Sequence, residues 1–239
     1  MIVRSTYPAA VAIPPLCHGD RLTFDEFCRR WDATPNLKRA ELINGRVYMN
    51  PPPVNWDHHG LPTARILSWL SLYEIETVGL ELATDASVYV SPENCVQPDA
   101  ALRIQDSFGG ASEKQPDGSL AGPPELIVEV AASSVAYDLY EKKDLYAASG
   151  VAEYMVWLVY DRQVVWFQLR DGVYQDLPVE RNGCIKSQVF PGLWLDSKSL
   201  LTDQKAKIAA TLRSGLASAE YASFTEKLKS QGRKKRKSS

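Results

Sequence analysis

Apolar and polar positions follow two rhythms along this chain, and each predicts a different kind of element. Where apolar residues run on without a break and β-branched side chains dominate, the chain reads as buried strand; residues 126–130, Leu-Ile-Val-Glu-Val, are the clearest case. Two further strong runs, 154–160 and 164–169, are separated only by Asp161-Arg162-Gln163 and predict a hairpin. Shorter strand patterns fall at 40–43 and 46–49 around Asn44-Gly45, the strongest short hairpin signal. Others lie at 79–90, at 96–102, at 173–177 and in the apolar 190–195 segment. Helical periodicity appears first in TFDEFCRRW, residues 23–31, where Phe24, Phe27, Cys28 and Trp31 share a side and Thr23 and Glu26 stand in capping-box order. It returns at 64–73 and at 135–149, the latter entered through Ser133-Ser134 and closed by Gly150. A long amphipathic pattern follows over 199–229. Strand-rich halves with intervening helices predict an α/β (α+β) domain built on a central mixed β-sheet flanked by helices.

Composition divides the chain. Residues 1–20, with Pro8, Pro14 and Pro15 and little periodicity, read as an extended N-terminal arm. Residues 21–200 form the globular domain, 201–226 a C-terminal helix, and 227–239 a basic disordered tail. That tail carries seven Lys/Arg and no acid, so the overall charge of −2 conceals a body of about −9. A body this acidic does not advertise constitutive nucleic-acid binding, although a local groove can still be basic. Residues 105–122, rich in Gly, Ser and Asp, read as a flexible loop. Cys17, Cys28, Cys95 and Cys184 show no metal-ligand spacing, and no apolar run approaches membrane-spanning length. The expectation is a cytoplasmic protein with reduced thiols and no membrane partner.

Candidate chemistry begins with Glu129, which interrupts the buried run at 126–130. An ionised carboxylate there is costly unless a cation or a metal accompanies it. Asp138, Lys142 and Tyr146 recur at helical spacing on the next helix, so they share a face. Upstream, Asp99 follows Pro98, which enforces extended backbone, and precedes apolar Ala100, Ala101 and Leu102. Two acids on successive strands with a lysine just beyond are the set needed to cut phosphodiesters. Carboxylates hold Mg²⁺, the metal activates water, and the lysine positions that water or stabilises developing charge. Each residue also has a plainer reading. Asp99 alone suits a turn cap, Glu129 a buried ion pair with Lys142 or Lys143, Lys142 a solvated charged face, and Asp138 an i,i+4 partner. Glu41, in the first hairpin strand, reads as an edge-strand surface carboxylate. His58-His59, after the proline-rich 51–57 loop, reads either as a ligand or phosphate contact or as a solvated turn.

The stretches QPDAAL, PPELIVEV, ASSVAYDLYEKKDLYAASGVAEY and FPGLWL, with LTFDEF and AELINGRV upstream, resemble the Uma-two family of bacterial restriction-endonuclease-type proteins within the PD-(D/E)xK nuclease superfamily. The resemblance runs from about residue 22 to residue 200. It implies a restriction-endonuclease-like core and Mg²⁺- or Mn²⁺-dependent hydrolysis of nucleic acid, with DNA the expected substrate and a homodimer the expected assembly. By position it implies Asp99 and Glu129 as metal ligands, with the Val130 carbonyl as a third, and Lys142 as the catalytic lysine. The superfamily's usual lysine position, two residues after the acid, is Ala131 here. Glu41 matches a family glutamate, and either His58 or His59 matches a family histidine. The rival expectation is a catalytically silent nuclease-fold module that binds DNA or protein, or an interaction protein that works through its basic tail.

Overall fold

A computed structural model describes residues 13–34, 36–49, 55–132 and 137–238. Most of the N-terminal arm, much of the proline-rich loop and the Ser133-Ser134 cap lie outside the described residues. The strands are β1 (Glu41–Ile43), β2 (Arg46–Tyr48), β3 (Leu80–Ala83), β4 (Val88–Ser91), β5 (Asn94–Val96), β6 (Ala100–Ile104), β7 (Glu113–Lys114), β8 (Leu120–Ala121), β9 (Leu126–Ala131), β10 (Glu153–Leu158), β11 (Gln163–Arg170), β12 (Val173–Asp176), β13 (Cys184–Lys186) and β14 (Trp194–Asp196). The helices are α1 (Phe24–Asp32), α2 (Leu61–Glu76), α3 (Lys142–Ser149), α4 (Ser197–Leu201), α5 (Lys205–Leu216) and α6 (Ala219–Ser238).

The main sheet has the order β12-β11-β10-β9-β6-β3, with β9 and β10 parallel and every other pair antiparallel. It is covered on both faces. Leu126, Val128 and Val130 point towards Ile66, Trp69, Leu70 and Tyr73 of α2. Ile127 and Ala131 point the other way, into a cluster with Leu145 and Tyr146 of α3. Burial on both faces explains why β9 and β10 read as continuous apolar runs rather than alternating ones. It also makes Glu129, on the α3 face, a carboxylate inside the core.

A second six-stranded sheet, β2-β1-β5-β4-β8-β7, was not evident as a unit in the sequence. Its β1–β2 hairpin turns at Asn44-Gly45, both with positive φ (50° and 75°), as the Asn-Gly signal requires. Its β7 and β8 lie in the 105–122 segment, so that segment is not the flexible loop its composition suggests. Two-residue strands are too short to imprint a period. At the other end of the chain, α6 continues helical to Ser238, through residues whose charge reads as a disordered tail. Lys, Arg and Gln are good helix formers, and Leu228 anchors the helix in the core. Thr23 caps α1 as expected, its Oγ1 accepting from the Glu26 amide at 3.3 Å, while the Glu26 carboxylate turns to Arg29 and Arg30. Among the described residues no helix is long and apolar enough to cross a membrane.

Glu153, which sequence reading values only as part of a family pattern, anchors the return from β13 to β14. Its fully buried carboxylate accepts from Ser187 Oγ at 2.8 Å and from the amides of Gln188 at 2.6 Å and Val189 at 3.1 Å. Burial pushes its pKa up to about 7 despite these donors. The folded state therefore binds a proton that the unfolded chain releases near pH 4.5, and the stability this confers is lost as pH rises towards 7. Compared with Glu153→Gln, which cannot titrate, the wild type is expected to lose about 3 kcal/mol between pH 4.5 and pH 7.5. Urea unfolding of both proteins across that range measures the difference. A constant difference between them contradicts the assignment.

Candidate active site

The site forms where β6 stops short. The β6–β9 ladder ends at Ala100 opposite Val128, because Pro98 has no amide hydrogen to continue it. Val130, two residues further along β9, therefore needs other partners for its backbone groups. The Asp99 carboxylate supplies one: Oδ2 accepts from the Val130 amide at 2.8 Å. The other is His59, whose Nδ1 lies 3.2 Å from the Val130 carbonyl oxygen and whose Nε2 lies 3.4 Å from Asp99 Oδ1. Both ring nitrogens face acceptors, so an imidazolium, with two N–H groups, fits this position. The hydrogen bond to Asp99 accordingly raises the His59 pKa.

Glu129 lies beside Asp99, and its Oε2 is 3.4 Å from the Asp99 amide. Its Oε1 accepts from Lys142 Nζ at 2.7 Å and from Tyr146 Oη at 3.0 Å, two donors one helical turn apart on α3. The same Lys142 ammonium lies 3.1 Å from Glu41 Oε1 and 3.8 Å from Asp138 Oδ1. Glu41 is 1% exposed, not the surface carboxylate that its place in a short hairpin strand suggests. The reason is topological: β1 is not an edge, since it pairs with β2 on one side and β5 on the other. Pairing with β5 also lets Glu41 Oε1 accept from the Gln97 amide at 2.8 Å.

Four carboxylates, of Asp99, Glu129, Glu41 and Asp138, thus share this buried region with Lys142, with His59 and with Arg39, whose guanidinium is 3.3 Å from Asp99. Burial, reinforced by Asp99, Asp138 and Glu41, pushes the Glu129 pKa up to about 8 against the pull of Lys142. Burial alone would lower the Lys142 pKa, but Glu129 and Glu41 outweigh it and hold the side chain as an ammonium. Burial likewise opposes ionisation of Asp99, yet the His59 hydrogen bond, the Val130 amide and Arg39 bring its pKa below the usual carboxylate value.

Two comparisons bear on this arrangement. A family model described as "Putative restriction endonuclease", Uma2, matches residues 24–198. The chain belongs to the Uma2 family. In fold it is similar to the crystal structure of "a putative nuclease belonging to DUF820" from Anabaena variabilis, at a TM-score of 0.58 and 14% identity, over 76% of this chain and 98% of that one. No curated protein sequence matches it.

Within this Uma2 chain, Asp99, Glu129, Lys142, Glu41, Asp138 and His59 come together, and His58 does not. His58 packs instead against Tyr160, with ring centroids 4.8 Å apart. Both His59 and Lys142 are delivered by wide helical turns, Trp56–Gly60 ahead of α2 and Tyr137–Glu141 ahead of α3. In the first, the Gly60 amide reaches back five residues to the Asn55 carbonyl at 3.0 Å. Such turns are over-represented at functional sites. Sequence reading missed Arg39, whose guanidinium lies 3.3 Å from Asp99 Oδ1 and is held by Asp85 at 2.8 Å and the Gln97 carbonyl at 2.9 Å.

The donors of this Uma2 site fit a hard divalent ion in chemistry and in charge. Two carboxylates and a backbone carbonyl are the oxygen ligands such ions take. Burial first, and then the neighbouring Asp99, Asp138 and Glu41, make Glu129 resist ionisation. The ligands do not stand ready as a cage: among the described residues no group of three or more His, Cys, Asp or Glu side chains is disposed to hold a metal. The Val130 carbonyl and Asp99 Oδ1 are instead bridged by His59.

Proposed function

We propose that this protein is a metal-dependent endonuclease that hydrolyses phosphodiester bonds of nucleic acid, with DNA as the substrate. One observation carries the reading: Asp99, just ahead of β6, and Glu129, on β9, meet at the end of the β6–β9 ladder, with the Lys142 ammonium 2.7 Å from Glu129. Asp99, Glu129 and the Val130 carbonyl would hold Mg²⁺ or Mn²⁺. When bound, the ion supplies Lewis-acid polarisation of the phosphate and a lowered pKa for coordinated water. The protein groups do the rest. Lys142, kept cationic by Glu129 and Glu41, places a fixed positive charge where negative charge grows on the phosphate oxygens. Tyr146 and Lys142 together fix the rotamer of Glu129. Arg39 and His59 offset the charge of Asp99 and keep its carboxylate aimed at the end of β9. By the family resemblance the reading extends to a homodimer acting in the cytoplasm.

The silent-module alternative has its own support, because Lys142 and Glu129 already satisfy one another as a buried ion pair. Incubation of the purified protein with single-stranded and duplex DNA in Mg²⁺, in Mn²⁺ and in EDTA separates the two. Cleavage is expected in either metal and none in EDTA. Absence of cleavage in both metals overturns the nuclease reading.

A further inference from the structure

We propose that the surface bordering the candidate carboxylates is a stacking subsite for an unpaired nucleobase, centred on Tyr160. The inference rests on the nuclease reading and narrows its substrate to single-stranded or locally opened nucleic acid. Its first ground is position. Strands β9 and β10 run parallel with Ala131 opposite Leu158, so Tyr160, two residues beyond Leu158, emerges beside the end of β9 that carries Glu129 and Val130. His58, whose ring packs on Tyr160, is the neighbour of His59, which contacts Asp99 and Val130. A strand whose scissile phosphate lies at Asp99 and Glu129 therefore brings its flanking nucleotide against this surface.

The second ground is chemistry. Tyr160 is 60% exposed and Trp56, on the same turn as His58, is 77% exposed. An exposed tyrosine ring next to a polar site leaves a π-face open, and aromatic stacking is how proteins hold unpaired bases without reading their sequence. The chain neighbours of these residues, Asp57 and Val159, border a cleft of about 420 Å³ that also takes in Arg65, Arg162 and Asp203. Arg65 is engaged there by Asp203 at 2.6 Å, and Arg162 is the guanidinium on this border that suits a phosphate backbone. A paired base, stacked on both faces within a duplex, offers no face to Tyr160.

The test is equilibrium binding of a single-stranded oligonucleotide carrying 2-aminopurine, in Ca²⁺, which shares the oxygen preference of Mg²⁺. Stacking is expected to quench the fluorescence. Tyr160→Ala, a surface change, should weaken binding roughly tenfold or more and abolish the quench, while Tyr160→Phe keeps both. A matched duplex should bind at least about tenfold more weakly than the single strand. Equal binding by Tyr160→Ala, or tight duplex binding without quenching, overturns the subsite alone. Normal binding and quenching without cleavage in Mg²⁺ or Mn²⁺ overturns the nuclease reading alone. No binding of the single strand by the wild type overturns the subsite.

Discussion

Lys142→Met is expected to remove about 3–5 kcal/mol of folding stability, a large part of what a domain of this size possesses. The side chain is 2% exposed, and its ammonium lies within 3.8 Å of carboxylate oxygens from Glu41, Glu129 and Asp138. Methionine has a similar length and no charge, so the substitution leaves volume nearly unchanged and isolates the electrostatic loss. The three acids would then have to shed charge by taking up protons or draw in water, and either response weakens the native state. Pairing the change with Glu129→Gln should recover part of the loss, because one of the stranded charges disappears. Urea unfolding of the two single variants and the double variant measures this. A loss under about 1 kcal/mol for Lys142→Met would mean that the ammonium is not the counter-charge of this cluster.

The second large effect has opposite signs in activity and stability. Glu129→Gln is expected to reduce metal-dependent cleavage about a thousandfold, by weakening both the hold on the ion and the charge distribution around it. Stability should stay within about 1 kcal/mol of the wild type or rise. Glutamine keeps an oxygen for Lys142 and Tyr146, and it removes a charge that burial first, and then Asp99, Asp138 and Glu41, already resist, as the Glu129 pKa of about 8 reflects. The contact sacrificed, from the Asp99 amide at 3.4 Å, is long. A carboxylate retained for chemistry gives this divergence. If Glu129 served only as one half of a structural ion pair, its neutralisation would cost stability instead. Thermal or urea unfolding together with a cleavage assay on the same preparations reads both quantities.

Much of this arrangement was legible in the chain, and what was not shares a physical cause. The run around Glu129 announced itself because β9 is covered on both faces, and the turn at Asn44-Gly45 because its positive φ values admit few residues. Lys142 and Tyr146 were placed together correctly by helical spacing, and both reach Glu129. Glu41 was not legible, because its burial comes from a partner strand some fifty residues away, through the Leu42–Cys95 pairing and the Gln97 amide. The choice between His58 and His59 depended on a five-residue helical turn, a geometry that ordinary helical spacing does not encode. Arg39 sits outside the regular strand and touches Asp99 only through tertiary folding. Local patterns therefore delivered the elements and one acid–lysine pair. The convergence of Glu41, Arg39 and His59 on that pair is a property of long-range pairing.

Calorimetric titration of Mn²⁺ into the wild type, Asp99→Asn and Glu129→Gln asks whether Asp99 and Glu129 together hold a hard divalent ion. One saturable binding event in the wild type, lost or strongly weakened in both folded variants, is the expected result. Wild-type protein that binds no Mn²⁺, or variants that bind it as well as the wild type does, would contradict it.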